Sequence, residues 1–158
     1  NKKFLFIRKN GKVVFRAMIR LTKGSYVGDR MRKKIQFADL SGAGKPKEEE
    51  GEELVLFLER YYEKNLAYEE QDQAVYLAFV AAKEKAKKLG ARLVLSCYYQ
   101  DDVKTKEYIK SNYYLYISKS KNGSQYLDSL YGEASVSDSG DYSSNIFLLE
   151  NKDQEVAA

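Results

Sequence analysis

The chain has 158 residues and 18.2 kDa, with 27 Lys and Arg against 23 Asp and Glu, one Cys, no Trp and no His. That length suits one domain with a real core. The missing histidine removes Ser-His-Asp and Cys-His nucleophile systems, HEXXH zinc sites and imidazole proton shuttles, and one cysteine makes a protein-built zinc site or an internal disulfide untenable. Any catalysis would run on carboxylates, Lys, Arg or Tyr.

The net charge of +4 hides a division along the chain. Residues 1–34 carry twelve bases and one acid, Asp29, which leaves fifteen bases and twenty-two acids for the remainder. A head of +11 on a body of −7 fits an anion-binding face, and equally a head that docks on its own acidic body or on an acidic partner. No apolar run approaches the roughly 20 residues that cross a bilayer, and the four apolar residues before Arg8 are fewer than the ~7–15 of a signal-peptide core. A soluble, cytoplasmic protein is the expectation.

Taken in order, Asn10-Gly11 lies between two apolar runs and predicts a hairpin with a type I′ turn. In KVVFRAMIRL, Val13, Phe15, Ala17, Ile19 and Leu21 fall on one face, while Val14, Arg16, Met18 and Arg20 fall on the other. MRKKIQFADL offers a third strand and SGAGKPK a linker. After Pro46, the acids Glu48, Glu49 and Glu50, and Leu54, Phe57, Leu58 and Tyr61 at helical spacing, predict a first helix to about Asn65. A second has Glu69, Glu70 and Asp72 at its front, Ala74, Val75, Ala78, Ala82 and Ala86 inside, and Gly90 as its stop. ARLVLSCYY predicts a central strand holding Cys97. An aspartate at 101 or 102 caps a short helix through Asn112, YYLYISKSK and SQYLDSLY flank a second Asn-Gly turn at Asn122-Gly123, 132–144 is a polar loop and NIFLLE a last strand.

The fold expected is therefore α+β within one domain, 1–150: a basic β head (1–40), a linker (41–46), a helical pair (47–90) and a β-α-β-β run (91–150) closing a mixed or antiparallel sheet. Residues 151–158 form a flexible tail.

The candidate anion-binding residues are Arg8, Lys9, Lys12, Arg16, Arg20, Arg30, Arg32 and Lys34, the cations of a basic sheet face. Nucleic-acid sheets add exposed aromatics that stack on bases; here Phe4, Phe6 and Phe15 are assigned to the core. Fourteen tyrosines exceed what a small core needs, and Tyr26, Tyr98, Tyr113 and Tyr116 are candidates for a protein interface, one member of each strand pair facing outward. GSYVGD and SGAGKP lack the Walker A spacing, and Asp101, Asp102 and Glu107 read as caps before they read as Mg²⁺ ligands. No cofactor and no metal is expected.

Residues 83–116, KEKAKKLGARLVLSCYYQDDVKTKEYIKSNYYLY, resemble the stretch of GNAT acyltransferases in which a helix ending in LGA leads to a strand, a short helix carrying a tyrosine, and a further strand. The resemblance covers about a fifth of the chain and implies Tyr108 at the general-acid position. The acyl-CoA loop of that family, Q/R-x-x-G-x-G/A, would fall near EEQDQAV, which has no glycine, so the resemblance implies the fold without the cofactor. The leading expectation is a non-enzymatic module that engages nucleic acid or a nucleoprotein through the basic hairpin, of a kind found among phage or mobile-element proteins that inhibit host defence. A tyrosine-rich protein-interaction domain and a divergent acyltransferase are the alternatives.

Overall fold

The computed structural model describes residues 2–26, 53–99, 108–116, 135–136 and 142–150. The predicted hairpin forms from β1 (Lys2–Lys9) and β2 (Lys12–Tyr26). Asn10 and Gly11 adopt φ of 52° and 76°, the positive values that a type I′ turn demands. The pairing slips between Ile7 and Arg8. As a result Val14 is buried and Val13 exposed, the reverse of simple alternation, while Phe15, Ala17 and Ile19 keep their place in the core.

β3 (Glu53–Glu63) pairs antiparallel with β2. This corrects the first predicted helix: the residues at helical spacing belong to a strand. The reason is the unbroken run Val55-Leu56-Phe57-Leu58, every residue of which is buried. A central strand covered on both faces loses the two-residue alternation that would reveal it, and its apolar residues also satisfy a helical template. Leu54, placed inside that helix by spacing, is exposed.

The predicted second helix is present as α1 (Tyr68–Leu89). Ala74, Val75, Ala78, Ala82 and Ala86 are buried as expected, and Phe79 joins them. The helix stops at Gly90 (φ 61°), whose amide donates to the Lys87 carbonyl at 3.2 Å while the Ala91 amide donates to that of Ala86 at 2.9 Å. This left-handed closure is the reason a glycine stands there. Glu69 and Glu70 at the front and Lys87 and Lys88 at the back complement the helix dipole.

The chain then returns through β4 (Arg92–Leu95), parallel to β3, and a single 3₁₀ turn, Cys97–Tyr99. β4 is central as predicted, between β3 and a late strand, but it ends before Cys97. β5 (Tyr108–Tyr116), β6 (Ser135–Val136) and β7 (Tyr142–Glu150) complete a seven-stranded mixed sheet. Residues 108–112 are strand where a short helix was predicted, and β7 begins three residues before NIFLLE. The predicted third strand, the linker, the Asn122-Gly123 turn and the tail lie outside the described residues.

The sheet order β1-β2-β3-β4-β7-β5 bends back on itself, because β5 also pairs with β2. That pairing, Lys23↔Tyr116 to Tyr26↔Tyr113, takes up the edge of β2 just beyond where β1 stops, at Lys2↔Arg20. Five strands, β2-β3-β4-β7-β5, thus form a closed hydrogen-bonding circuit. Two cores result. On the helix side, Phe15, Ala17, Ile19, Leu56, Leu58, Leu93, Leu95 and Leu148 pack against α1. Inside the circuit, Val55, Phe57, Val94, Tyr113, Leu115 and Leu149 form a second cluster. Residues opposite one another on paired strands share a face, so alternate residues of β3 feed the two cores in turn.

Candidate nucleic-acid interface

The face of the sheet turned away from α1 continues past the closed circuit onto β1 and the first half of β2. Leu5 and Ile7 pack toward the helix-side core, so Lys2, Phe4 and Phe6 are left on the far face. Register then builds rows across the strands. Phe6 stands opposite Arg16, which stands opposite Tyr62; Phe4 stands opposite Met18; Lys2 stands opposite Arg20, which stands opposite Phe57.

Phe4 and Phe6 are 53% and 54% exposed, with ring centroids 5.8 Å apart and planes only 22° from parallel. This overturns their assignment to the core. Two neighbouring phenyl rings are held open to water, side by side, on a strand. Next to them the exposed Arg16 guanidinium sits 5.2 Å from the Tyr62 ring centroid, and Arg60 sits 5.4 Å from the same ring and 4.7 Å from Tyr98. Such stacks hold planar cations in place without neutralising them. The Arg60 Nε is buried with no hydrogen-bond partner among the described residues.

The remaining predicted cations divide sharply. Arg8 and Lys12 are exposed at the hairpin tip, where the Arg8 guanidinium donates to the Gly11 carbonyl at 3.4 Å. Lys9 lies toward the helix and forms an ion pair with Glu70 at 2.8 Å. Arg20 is 4% exposed, and its Nε donates to Glu59 Oε1 at 2.6 Å, with Glu59 fully buried. Arg20 is therefore removed from the list of surface cations. The same strand parity that exposes Arg16 carries Arg20 under the closing strands. Lys2, in the row beside it, has its pKa lowered from 10.5, first by burial and then by the Arg20 guanidinium, against the pull of Glu59. Arg30, Arg32 and Lys34 lie outside the described residues.

Of the predicted tyrosine interface, Tyr113 is corrected: it faces inward rather than outward. Tyr113 is fully buried, its hydroxyl donating to Glu53 Oε1 at 2.8 Å, and the same oxygen lies 2.5 Å from Arg92 Nε. Tyr98 is half-buried, edge-on to Tyr61 at 5.0 Å. Tyr26 and Tyr116 occupy strand positions opposite Tyr113 and Lys23, and their side chains lie outside the description. Tyr108, implied by resemblance to sit on a short helix, instead opens β5 and packs edge-on against Phe79 at 5.3 Å.

What sequence reasoning missed was Phe4, Phe6, Arg60 and Tyr62. The available signal was weak: in FLFIRK both parities are apolar, and only the size difference between the Phe pair and Leu5-Ile7 separates them. Among the described residues, no group of three or more His, Cys, Asp or Glu could hold a metal ion, and no helix is long and apolar enough to cross a membrane. No protein-family model, curated protein or solved structure matches the chain.

Proposed function

We propose that this chain is a nucleic-acid-binding module whose contact surface is the far face of the β1–β2–β3 sheet. One observation carries the reading: an exposed, stacked Phe4–Phe6 pair shares that face with Arg16, which leans on Tyr62. Residues 1–26 contain eight Lys and Arg and no acid; Arg20 is taken up by Glu59 and Lys9 by Glu70, while Lys2, Arg8, Lys12 and Arg16 are exposed. The surface is thus apolar and aromatic at its centre and cationic around it, complementary to a polyanion that carries flat bases.

The test is a salt titration of binding to mixed-sequence DNA and RNA oligonucleotides by fluorescence anisotropy. Affinity is expected to fall linearly on a log–log plot, and Arg16→Ala is expected to flatten the slope by about 1. Failure to bind, or binding indifferent to salt, would overturn the reading.

A further inference from the structure

Resting on that reading, we infer that the ligand is single-stranded and is held by stacking: Phe4 and Phe6 take the faces of neighbouring unpaired bases while Arg16, Arg8 and Lys2 meet the phosphates. The centre of the face is Phe4, Phe6 and the half-buried Met18. None of these side chains has a polar hydrogen to offer, so they cannot read the base edges that a duplex displays in its grooves. Their contribution requires base faces, and in a duplex those faces are already covered by neighbouring pairs.

The width of the face argues the same way. A major groove admits a helix or a two-stranded ribbon, whereas the row Phe6–Arg16–Tyr62 spans three strands. The rings stand 5.8 Å apart and near-parallel, so each presents its own surface to one base of an extended strand. Stacking of this kind tolerates any sequence, because every base has a π-face. Arg16 and Arg60, whose guanidinium carbons lie 5.2 Å and 5.4 Å from the Tyr62 ring centroid, extend the platform with planar cations.

The chain has no tryptophan, which allows a direct readout. Phe6→Trp places a single indole on the platform. Its emission is expected to be quenched on adding a single-stranded oligonucleotide and unchanged with the matching duplex. In anisotropy, wild type is expected to favour single strands over the duplex by tenfold or more. Phe4→Ala and Phe6→Ala are each expected to weaken single-strand binding by about 5- to 150-fold with the salt slope preserved, in contrast to Arg16→Ala. Both side chains are half-exposed, and retention of the wild-type circular dichroism spectrum checks that the variants fold.

Duplex binding equal to single-strand binding, or a Phe4→Ala/Phe6→Ala variant that binds as wild type with a salt-dependent affinity, would overturn the stacking inference and leave the nucleic-acid reading standing. Loss of all binding in the wild type would overturn both.

Discussion

The far face of the sheet has two halves built from the same strands, and they have opposite fates. In the closed half, β5 and β7 arch over the second half of β2 and bury Phe57, Tyr113 and Leu115 completely. One acid is drawn in fully with them, Glu59 beside Arg20, in keeping with the rule that buried charge must be matched, and the half-buried Glu53 stands beside Arg92 and Tyr113. In the open half, β1 occupies the edge of β2 that β5 takes farther along, and among the described residues no strand arches over it. Phe4 and Phe6 stay wet, and among the described residues Arg16 has a ring rather than a carboxylate beside it. The lesson is that residue type does not decide exposure here. The handover of one strand edge from β1 to β5, between Arg20 and Lys23, does.

The comparison breaks most easily at its aromatic residues. Phe57→Ala leaves a cavity inside the closed circuit and is expected to cost about 3–5 kcal/mol in urea denaturation. Phe4→Ala loses one exposed stacking contact and is expected to cost less than about 1 kcal/mol. Equal losses would mean that the open half is packed against the rest of the chain, and the proposed platform would disappear. The ion pair comes next. Arg20→Met strands a buried carboxylate and is expected to cost about 3 kcal/mol or more, whereas Arg20→Met/Glu59→Leu recovers most of the loss. A near-neutral single variant would place the pair in water and move the boundary between the halves. For the same reason an Arg20 substitution is a poor probe of ligand binding, and Arg16 is the residue to change.

Local signals were legible in the sequence where one residue type has one physical use. Asn10-Gly11 fixed its turn through positive φ, and Gly90 ended a helix whose small residues already marked the buried stripe. β3 was misread because burial on both faces erases periodicity. Phe4 and Phe6 were misread because FLFI is apolar at odd and even positions alike, so pattern cannot say which pair is covered. Arg16 and Arg20 stand four residues apart with the same parity, and only the pairing of β2 with β5, 87 to 93 residues later, separates a surface cation from a buried one. The candidate site was thus visible as a concentration of charge, but its aromatic centre depended on tertiary closure.

The smallest expected effect falls on the boundary itself. Lys2 shares a row with Arg20 and Phe57, yet its ammonium is still partly in water. Burial and the Arg20 charge hold its native pKa below 10.5, so on raising the pH the folded chain releases this proton before the unfolded chain does. In that window the unfolded state binds more protons, and stability must rise with pH until the unfolded lysine also titrates near 10.5. Other lysines and tyrosines titrate in the same range, so the measurement is the difference in urea midpoint between wild type and Lys2→Met, followed from neutral pH to 10.5. Wild type is expected to gain on the variant as pH rises, by an amount that solvent screening keeps small. A constant difference would put Lys2 wholly in the open half and draw the boundary at Arg20. A reversed trend would mean that Glu59 outweighs Arg20 at this position, and that the closed half reaches the first residues of β1.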